Sequence, residues 1–157
     1  MEKILKKTYL VENGIDYNEL CYEYCSDRML DKDEEDGGKA FSGLTYELDE
    51  FGNVLYYGKY KNGFEEGECV YFYPNGNIER RAYMKRGRVF GEEITYFEDG
   101  RLKSVSYSEY GVELTRKEWD ESNNLIVNKE KPTQSDIELR DSGKEWHKKV
   151  TDEKSNG

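Results

Sequence analysis

The sequence predicts an all-β protein: an elongated, twisted antiparallel sheet of consecutive β-hairpins. Three observations support this prediction. Glycines recur at a spacing of 24 residues, apolar and polar residues alternate between them, and turn-forming sequences separate the alternating runs. This alternation is typical of strands that are buried on one face. At 157 residues, the chain has the length of one ordinary domain.

An internal repeat is clearest where "YFYPNGNI" at residues 71–78 returns as "TYFEDGRL" at residues 95–102. A repeat of this period indicates that one supersecondary unit, here a two-stranded hairpin, is stacked several times. Nine of the 15 glycines follow the spacing, in three columns: Gly52, Gly76 and Gly100; Gly63, Gly87 and Gly111; and Gly43, Gly67 and Gly91.

The turns between strands contain the residues that tight turns need. "PNG" at residues 74–76 places proline where φ near −65° is required and glycine where φ is positive. "EDG" at residues 98–100 repeats the pattern, so we expect positive φ at Gly76 and Gly100. "ENG" at residues 12–14 has the same form. It predicts a further hairpin over residues 8–24, ahead of the clean repeats.

An acidic insertion at about residues 26–40 separates this first predicted hairpin from the clean repeats. Two interpretations of the insertion remain open, a solvated loop without a partner and a docking surface for a basic protein. A calcium site is not predicted, because the run lacks alternating ligands around a turn glycine. The acids of the insertion are Asp31, Asp33, Glu34, Glu35 and Asp36.

The C-terminal part of the chain departs from the repeat. Residues 118–127, "EWDESNNLIV", predict a degenerate fourth hairpin in which Asn123 and Asn124 replace the turn glycine, since Asn tolerates positive φ. The predicted repeat domain therefore covers residues 1–127, and residues 128–157 form a polar tail. A short helix is predicted around residues 144–150, with Trp146 packing on the last hairpin.

The net charge of −10 disfavours direct binding to nucleic acid or to an anionic membrane, and favours a basic partner. The tail is balanced, with seven basic and seven acidic residues, so the negative charge belongs to residues 1–127. Cys21, Cys25 and Cys69 are an odd and unpaired set, which indicates a reducing compartment. The first residues have no apolar run of signal-peptide length. We therefore expect a cytoplasmic, monomeric protein.

The sequence contains few residue patterns that are typical of a catalytic site. His147 is the single histidine, and no Cys or His spacing matches a zinc site. The glycine pairs at residues 63–67 and 87–91 lack the lysine of a phosphate-binding loop. Adjacent carboxylates such as Glu92 and Glu93 are expected to lie beside turns in contact with solvent, without the burial that general-acid catalysis requires. The sequence predicts no catalytic, cofactor-binding or metal-binding residues and no enzymatic activity.

The repeat units resemble a known sequence repeat. "GECVYFYPNGNIERRAYMKRG" at residues 67–87 and "GEEITYFEDGRLKSVSYSEYG" at residues 91–111 resemble the variant MORN repeat. The resemblance covers residues 41–111 well and residues 8–127 loosely. Bacterial proteins made of this variant look like YwqK-type antitoxins, so the resemblance implies an immunity partner of a secreted toxin. The acidic insertion and the missing last glycine depart from the repeat.

The sequence thus predicts an immunity protein that binds a cognate basic toxin, a nuclease or a deaminase, and covers its active site. The alternative is a MORN-type scaffold that assembles proteins, including at a membrane, and the acidic charge argues against lipid contact. The residues predicted to bind the partner are the five insertion acids together with strand tyrosines and one glutamate: Asp31, Asp33, Glu34, Glu35, Asp36, Tyr71, Tyr73, Glu92 and Tyr96.

Overall fold

The computed structural model of the protein describes residues 2–152, so residues 153–157 of the predicted tail lie outside the described residues. The described part is mainly β, with one α-helix near each end and a single 3₁₀ turn at Tyr17–Glu19. In chain order, its elements are α1 (Lys7–Asn13), β1 (Gly14–Asp16), β2 (Cys21–Tyr22), β3 (Met29–Leu30), β4 (Gly43–Leu48), β5 (Val54–Lys61), β6 (Phe64–Phe72), β7 (Ile78–Lys85), β8 (Arg88–Tyr96), β9 (Leu102–Glu109), β10 (Val112–Trp119), β11 (Leu125–Lys129) and α2 (Gln134–Asp152).

The described strands form a long twisted sheet of nine strands in the order β1-β4-β5-β6-β7-β8-β9-β10-β11, and β2 and β3 form a separate pair. From β4 to β11 every neighbour is antiparallel and consecutive in the chain. This confirms the predicted all-β fold of consecutive hairpins. The short strand β1 adds one parallel pairing with β4 at the edge.

Two of the three glycine columns lie at the hairpin turns, whereas Gly43 begins β4 and Gly67 and Gly91 lie inside β6 and β8. Gly76 and Gly100 have φ angles of 87° and 86°, which confirms the prediction of positive φ at both positions. Gly87 has a φ of 71° and follows Arg86, whose φ is 50°. Two successive residues with positive φ are typical of the type I′ turn, whose twist matches that of the adjoining strands. The 24-residue repeat therefore has a conformational cause.

The two faces of the sheet differ in what covers them. Paired residues of neighbouring strands share a face. We call the face that carries Tyr56 of β5 and Cys69 of β6 the front face, where these two residues pack together. We call the opposite face the back face, and it carries Tyr57 and Val70, which pair directly across β5 and β6. Leu10 of α1 is fully buried against the back face, so this helix covers the N-terminal half of that face.

The predicted hairpin over residues 8–24 is wrong. Residues of α1 form a helix, and Gly14 begins a strand at a φ of −113° instead of occupying a turn. A Cβ on Gly14 would lie 2.8 Å from the Leu10 carbonyl oxygen and 3.1 Å from that of Leu44. Glycine is therefore required here by the close approach of α1 and β4. The burial of Leu10 over Tyr57 stabilises the helix over the competing hairpin.

The acidic insertion is anchored at both ends and exposed in the middle. Met29 and Leu30 are buried, and Leu30 forms a bridge to Ala40. Met29 packs with Leu20 and Phe41 in a small separate core. Residues 31–37 between these anchors are exposed. The insertion is therefore a loop of fixed position beside the sheet.

The fourth hairpin is confirmed, because β10 and β11 pair and Asn123 takes a φ of 63° in their turn. The tail helix α2 exists but is longer than the predicted residues 144–150. Gly143 does not end the helix. Glycine is favoured there because the helix packs closely on Tyr110, and a Cβ on residue 143 would lie 3.0 Å from the Tyr110 Cβ.

The predicted docking of Trp146 on the last hairpin is wrong. Its ring lies over the guanidinium groups of Arg86 and Arg88, 5.8 Å and 4.9 Å from their central carbons, at the turn between β7 and β8. Cation–π attraction to these arginines explains the position. The tail helix therefore crosses back toward the middle of the sheet.

Candidate functional site

The predicted partner-binding residues on the strands do not share one surface. Tyr71 pairs with Tyr56 and therefore lies on the front face. Tyr73 follows the end of β6, and its hydroxyl donates a hydrogen bond to the Tyr96 carbonyl oxygen at 2.9 Å. This hydroxyl therefore connects two neighbouring hairpins.

Glu92 and Tyr96 lie on the opposite, back face. Ile94, two residues from each, pairs with Arg81, which in turn pairs with Val70. Since alternate residues of a strand share a face, Glu92 and Tyr96 follow Ile94. A partner that covers the front face would contact Tyr71 and miss these two residues.

The five insertion acids lie apart from the strand residues, in the exposed loop beside β2 and β3. Three of them order that loop, because their carboxylates accept backbone hydrogen bonds. Asp31 accepts from the Lys39 amide at 2.8 Å, Asp33 from Glu35 at 2.9 Å and Glu34 from Tyr24 at 3.2 Å. Within residues 2–152, the side chains of Glu35 and Asp36 have no hydrogen-bond partner. These two remain free for an external contact.

The front face carries a pocket that the sequence did not predict as a unit. Its cavity is about 290 Å³. Strands β4, β5 and β6 form the floor, and the segment between β1 and β2 supplies a wall. We call it the tyrosine pocket, and its lining residues are Tyr17, Tyr22, Glu47, Tyr56, Tyr60, Glu65 and Tyr71.

Aromatic contacts fix the shape of the pocket. The rings of Tyr56 and Tyr71 lie 4.8 Å apart, and that of Tyr17 meets Tyr56 edge-on at 6.0 Å. The hydroxyls of Tyr17 and Tyr22 are hydrogen-bonded at 2.6 Å. A Cβ at Gly58 would lie 2.2 Å from the Tyr56 hydroxyl oxygen, so this glycine lets the ring lie along its strand. Contacts with Tyr17, Tyr71 and Gly58 hold Tyr56 in place.

A carboxylate lies among the phenol groups. The Tyr56 hydroxyl donates a 2.7 Å hydrogen bond to Glu65. Burial, followed by the negative charge of Glu65, raises the pKa values of Tyr56, Tyr60 and Tyr71 above the ordinary value for tyrosine. The phenols are therefore protonated at neutral pH and can donate hydrogen bonds.

The pocket is negatively charged and has no cation of its own. Glu47 and Glu65 form no ion pair within residues 2–152. The nearby Arg80 has its guanidinium carbon 5.2 Å from the centre of the Tyr71 ring, and two of its nitrogens bind Glu93 at 3.1 Å and 2.6 Å. Because Arg80 is paired with Glu93, the charges of the pocket carboxylates are available to a ligand.

The groups that could serve catalysis are placed unfavourably. Cys69 is 1% exposed, and burial raises the pKa of its thiol to about 12, so the reactive thiolate is scarce at neutral pH. His147 packs on Tyr110 at 5.5 Å, and burial and then Lys85 lower its pKa. Across the described part of the chain, no three His, Cys, Asp or Glu side chains are grouped to hold a metal ion.

A second exposed feature lies on the C-terminal half of the back face, beyond α1. Four large apolar residues there remain 40% to 51% exposed: Tyr83, Leu102, Tyr107 and Leu125. No helix among residues 2–152 has the length and apolar character needed to cross a membrane.

A long sheet of repeated hairpins, with an acidic aromatic pocket on one face and exposed large apolar residues on the other, has surfaces typical of proteins that bind other proteins. Sequence comparison gives the family. The chain is 36% identical over 148 residues to "Immunity protein YwqK" of Bacillus subtilis (strain 168), covering 94% of this chain and 96% of that protein. The chain belongs to the YwqK immunity-protein family.

The other comparisons add no family or structure. No family model matches the chain, so the finer resemblance to the variant MORN repeat stays a prediction. No solved structure matches it either.

Sequence reasoning missed most of the tyrosine pocket. Tyr56, Tyr60 and Glu65 belong to the first clean repeat, and their alternation could have placed them on one face. Tyr17 and Tyr22 could not be assigned in this way, because their segment was predicted to be a hairpin. The wall of the pocket lies outside the repeats, so the repeat pattern does not predict where it lies.

Proposed function

We propose that the protein is a non-enzymatic immunity protein that binds one cognate bacterial toxin and neutralises it by covering the toxin's active site. The observation that carries this proposal is the similarity to Immunity protein YwqK along nearly the whole chain. The comparison supports an immunity role. The target and the mode of neutralisation belong to our proposal.

The charge of the protein supports a basic target. With a net charge of −10, the protein attracts a cationic surface at long range and repels nucleic acid. Nucleases and nucleic-acid deaminases bind polyanions and need basic active-site clefts. We therefore assign the toxin to one of these two classes, and we place the complex in the cytoplasm, where such a toxin would reach its substrate.

The test uses the toxin encoded beside this gene. We expect coexpression to restore growth of cells that produce the toxin, and the purified proteins to form a 1:1 complex. Covering of the active site predicts that the protein raises the toxin's KM competitively, because substrate and protein exclude one another. An acidic β-rich protein of equal net charge serves as the control. Unchanged toxin activity at saturating concentrations of this protein would refute the proposal.

The scaffold alternative makes a different prediction. A membrane-associated scaffold would sediment with anionic vesicles at physiological salt, and an acidic immunity protein would stay in the supernatant. The same vesicle assay therefore distinguishes the two functions.

A further inference from the structure

The tyrosine pocket combines two features that favour a cationic ligand. Aromatic faces attract a cation through the ring quadrupole, and desolvation strengthens this attraction. Glu47 and Glu65 add negative charge that no lysine or arginine of the described chain neutralises. Tyr56 is 5% exposed and Tyr22 at the rim is 59% exposed, so the pocket has a buried floor and an accessible entrance. An anion would be repelled by both carboxylates.

The residues that line the pocket favour a planar cation. Guanidinium groups stack on aromatic faces and bind carboxylates through several N–H donors, whereas ammonium groups act as compact point charges. This chain already uses the arrangement beside the pocket, where the Arg80 guanidinium lies over Tyr71 and donates two hydrogen bonds to Glu93. A second guanidinium on the pocket side could stack in the same way and bind Glu65.

We propose that the tyrosine pocket receives one arginine side chain of the toxin, with its guanidinium against the tyrosine rings that line the pocket and bound to Glu65 and Glu47. This inference rests on the proposed function and names the contact that gives the interface its specificity. Charge complementarity selects the occupant, because the protein is acidic and its target is a basic protein. The exposed Tyr22 would cover the inserted side chain at the rim. An arginine buried in an aromatic pocket has the character of an interface hot spot.

The first experiment tests the pocket without the toxin. Ethylguanidinium chloride is titrated into the full-length protein, and the binding is followed by NMR of the tyrosine ring protons. We expect saturable shifts at pocket tyrosines, weaker binding of ethylammonium, and loss of the shifts in Glu65→Gln. No saturable shift, or tighter binding of ethylammonium, would overturn the assignment of an arginine.

The second experiment measures toxin affinity of pocket variants. Glu65→Gln and Glu47→Gln should each weaken binding by about 10-fold or more, because each removes a charge-assisted hydrogen bond. Tyr22→Ala should weaken it by about 3- to 30-fold through the lost cation–π contact. Glu50→Gln and Phe51→Ala are the matched controls, because both are exposed in the β4–β5 turn outside the pocket. Circular dichroism and urea unfolding show whether each variant is folded.

A double-mutant cycle identifies the inserted residue. Each surface arginine of the toxin is changed to methionine, and one of these changes should lose its effect in the Glu65→Gln background. If the pocket variants bind the toxin as tightly as wild type, the inference is wrong and the proposed immunity function still stands. If wild-type protein does not bind the toxin at all, both fail.

Discussion

At the scale of single residues, Gly76 shows why the repeat contains glycine at its turns. No atom lies within 4 Å of the position where its Cβ would be, so space does not explain the residue. Its φ of 87° does, because β-branched side chains avoid this region. Gly58 is the opposite case, since its φ is not in the left-handed region and the end of the Tyr56 side chain, its hydroxyl and the ring carbon that bears it, excludes a Cβ.

Gly76→Val should therefore destabilise the protein by about 1 to 3 kcal/mol through backbone strain. Gly76→Asn should cost less, since Asn tolerates positive φ. Urea unfolding of the two variants and wild type measures both free energies. Equal stability of the valine variant would contradict the strain argument, and a loss as large for Asn as for Val would point to a lost contact instead.

At the scale of elements, α2 illustrates a local signal that controls a tertiary contact. Thr133 and Asp136 form a reciprocal cap at the start of the helix. The Asp136 carboxylate accepts a hydrogen bond from the Thr133 backbone amide at 2.7 Å, and the Thr133 hydroxyl oxygen accepts one from the Asp136 backbone amide at 3.2 Å. Lys129 adds an ion pair with Asp136 at 3.0 Å. These partners, the Thr133 amide first, lower the Asp136 pKa from 3.8 to about 2. The start of the helix is thereby connected to the end of β11.

Protonation of Asp136 should release this cap. Because the folded pKa is depressed, its stabilising effect is present above pH 3.8 and is lost as pH falls toward 2. We expect the protection of the first-turn amides of α2 against hydrogen exchange, relative to unstructured amides at the same pH, to fall across this interval. Asp136→Asn should exchange faster at neutral pH and lose the acid dependence. Glu145→Gln, in the same helix, is the control, and identical acid profiles for wild type and Asp136→Asn would contradict the assignment.

The elements also show which parts of the fold could be predicted from the sequence. The hairpins from β4 to β11 follow from local alternation and turn glycines, and all of them formed. The hairpin predicted at residues 8–24 failed because a long-range contact of Leu10 and a parallel pairing with β4 decide that segment. The Thr133–Asp136 cap was visible in the sequence and would have extended the predicted helix. Gly143 suggested a break in the helix, so the sequence predicts only the part of α2 that follows it.

The candidate site divides in the same way. The sequence predicts Tyr71 as a partner-binding residue, and Tyr71 does line the pocket. Glu92 and Tyr96 were grouped with it although strand alternation and pairing place them on the other face. Strand alternation can assign residues to a face within one strand, but the face shared by distant repeats depends on the bulges in register. The Tyr17 and Tyr22 wall came from a segment without any repeat.

At the scale of the whole molecule, the net charge and the fixed acidic loop should act on the rate of complex formation. The five insertion acids are exposed, so neutralising them should change folding stability little, since exposed charges contribute roughly 0 to 1 kcal/mol each. Long-range attraction to a basic toxin should weaken. We expect an Asn/Gln quintuple variant to associate about 10-fold more slowly at low salt, with a smaller change in dissociation.

Stopped-flow association rates across a salt series measure this effect. The difference between variant and wild type should fade as the screening length falls to about 8 Å near 0.15 M salt. Glu35→Gln with Asp36→Asn removes two charges without touching the backbone hydrogen bonds of the loop, so it separates charge from loop order. Glu121→Gln with Glu145→Gln removes two exposed acids elsewhere and should slow association less. If the loop lies close to the bound toxin, removing two of its charges must slow association more than removing two distant charges. Equal association rates for all variants at low salt would therefore show that the loop is a passive insertion.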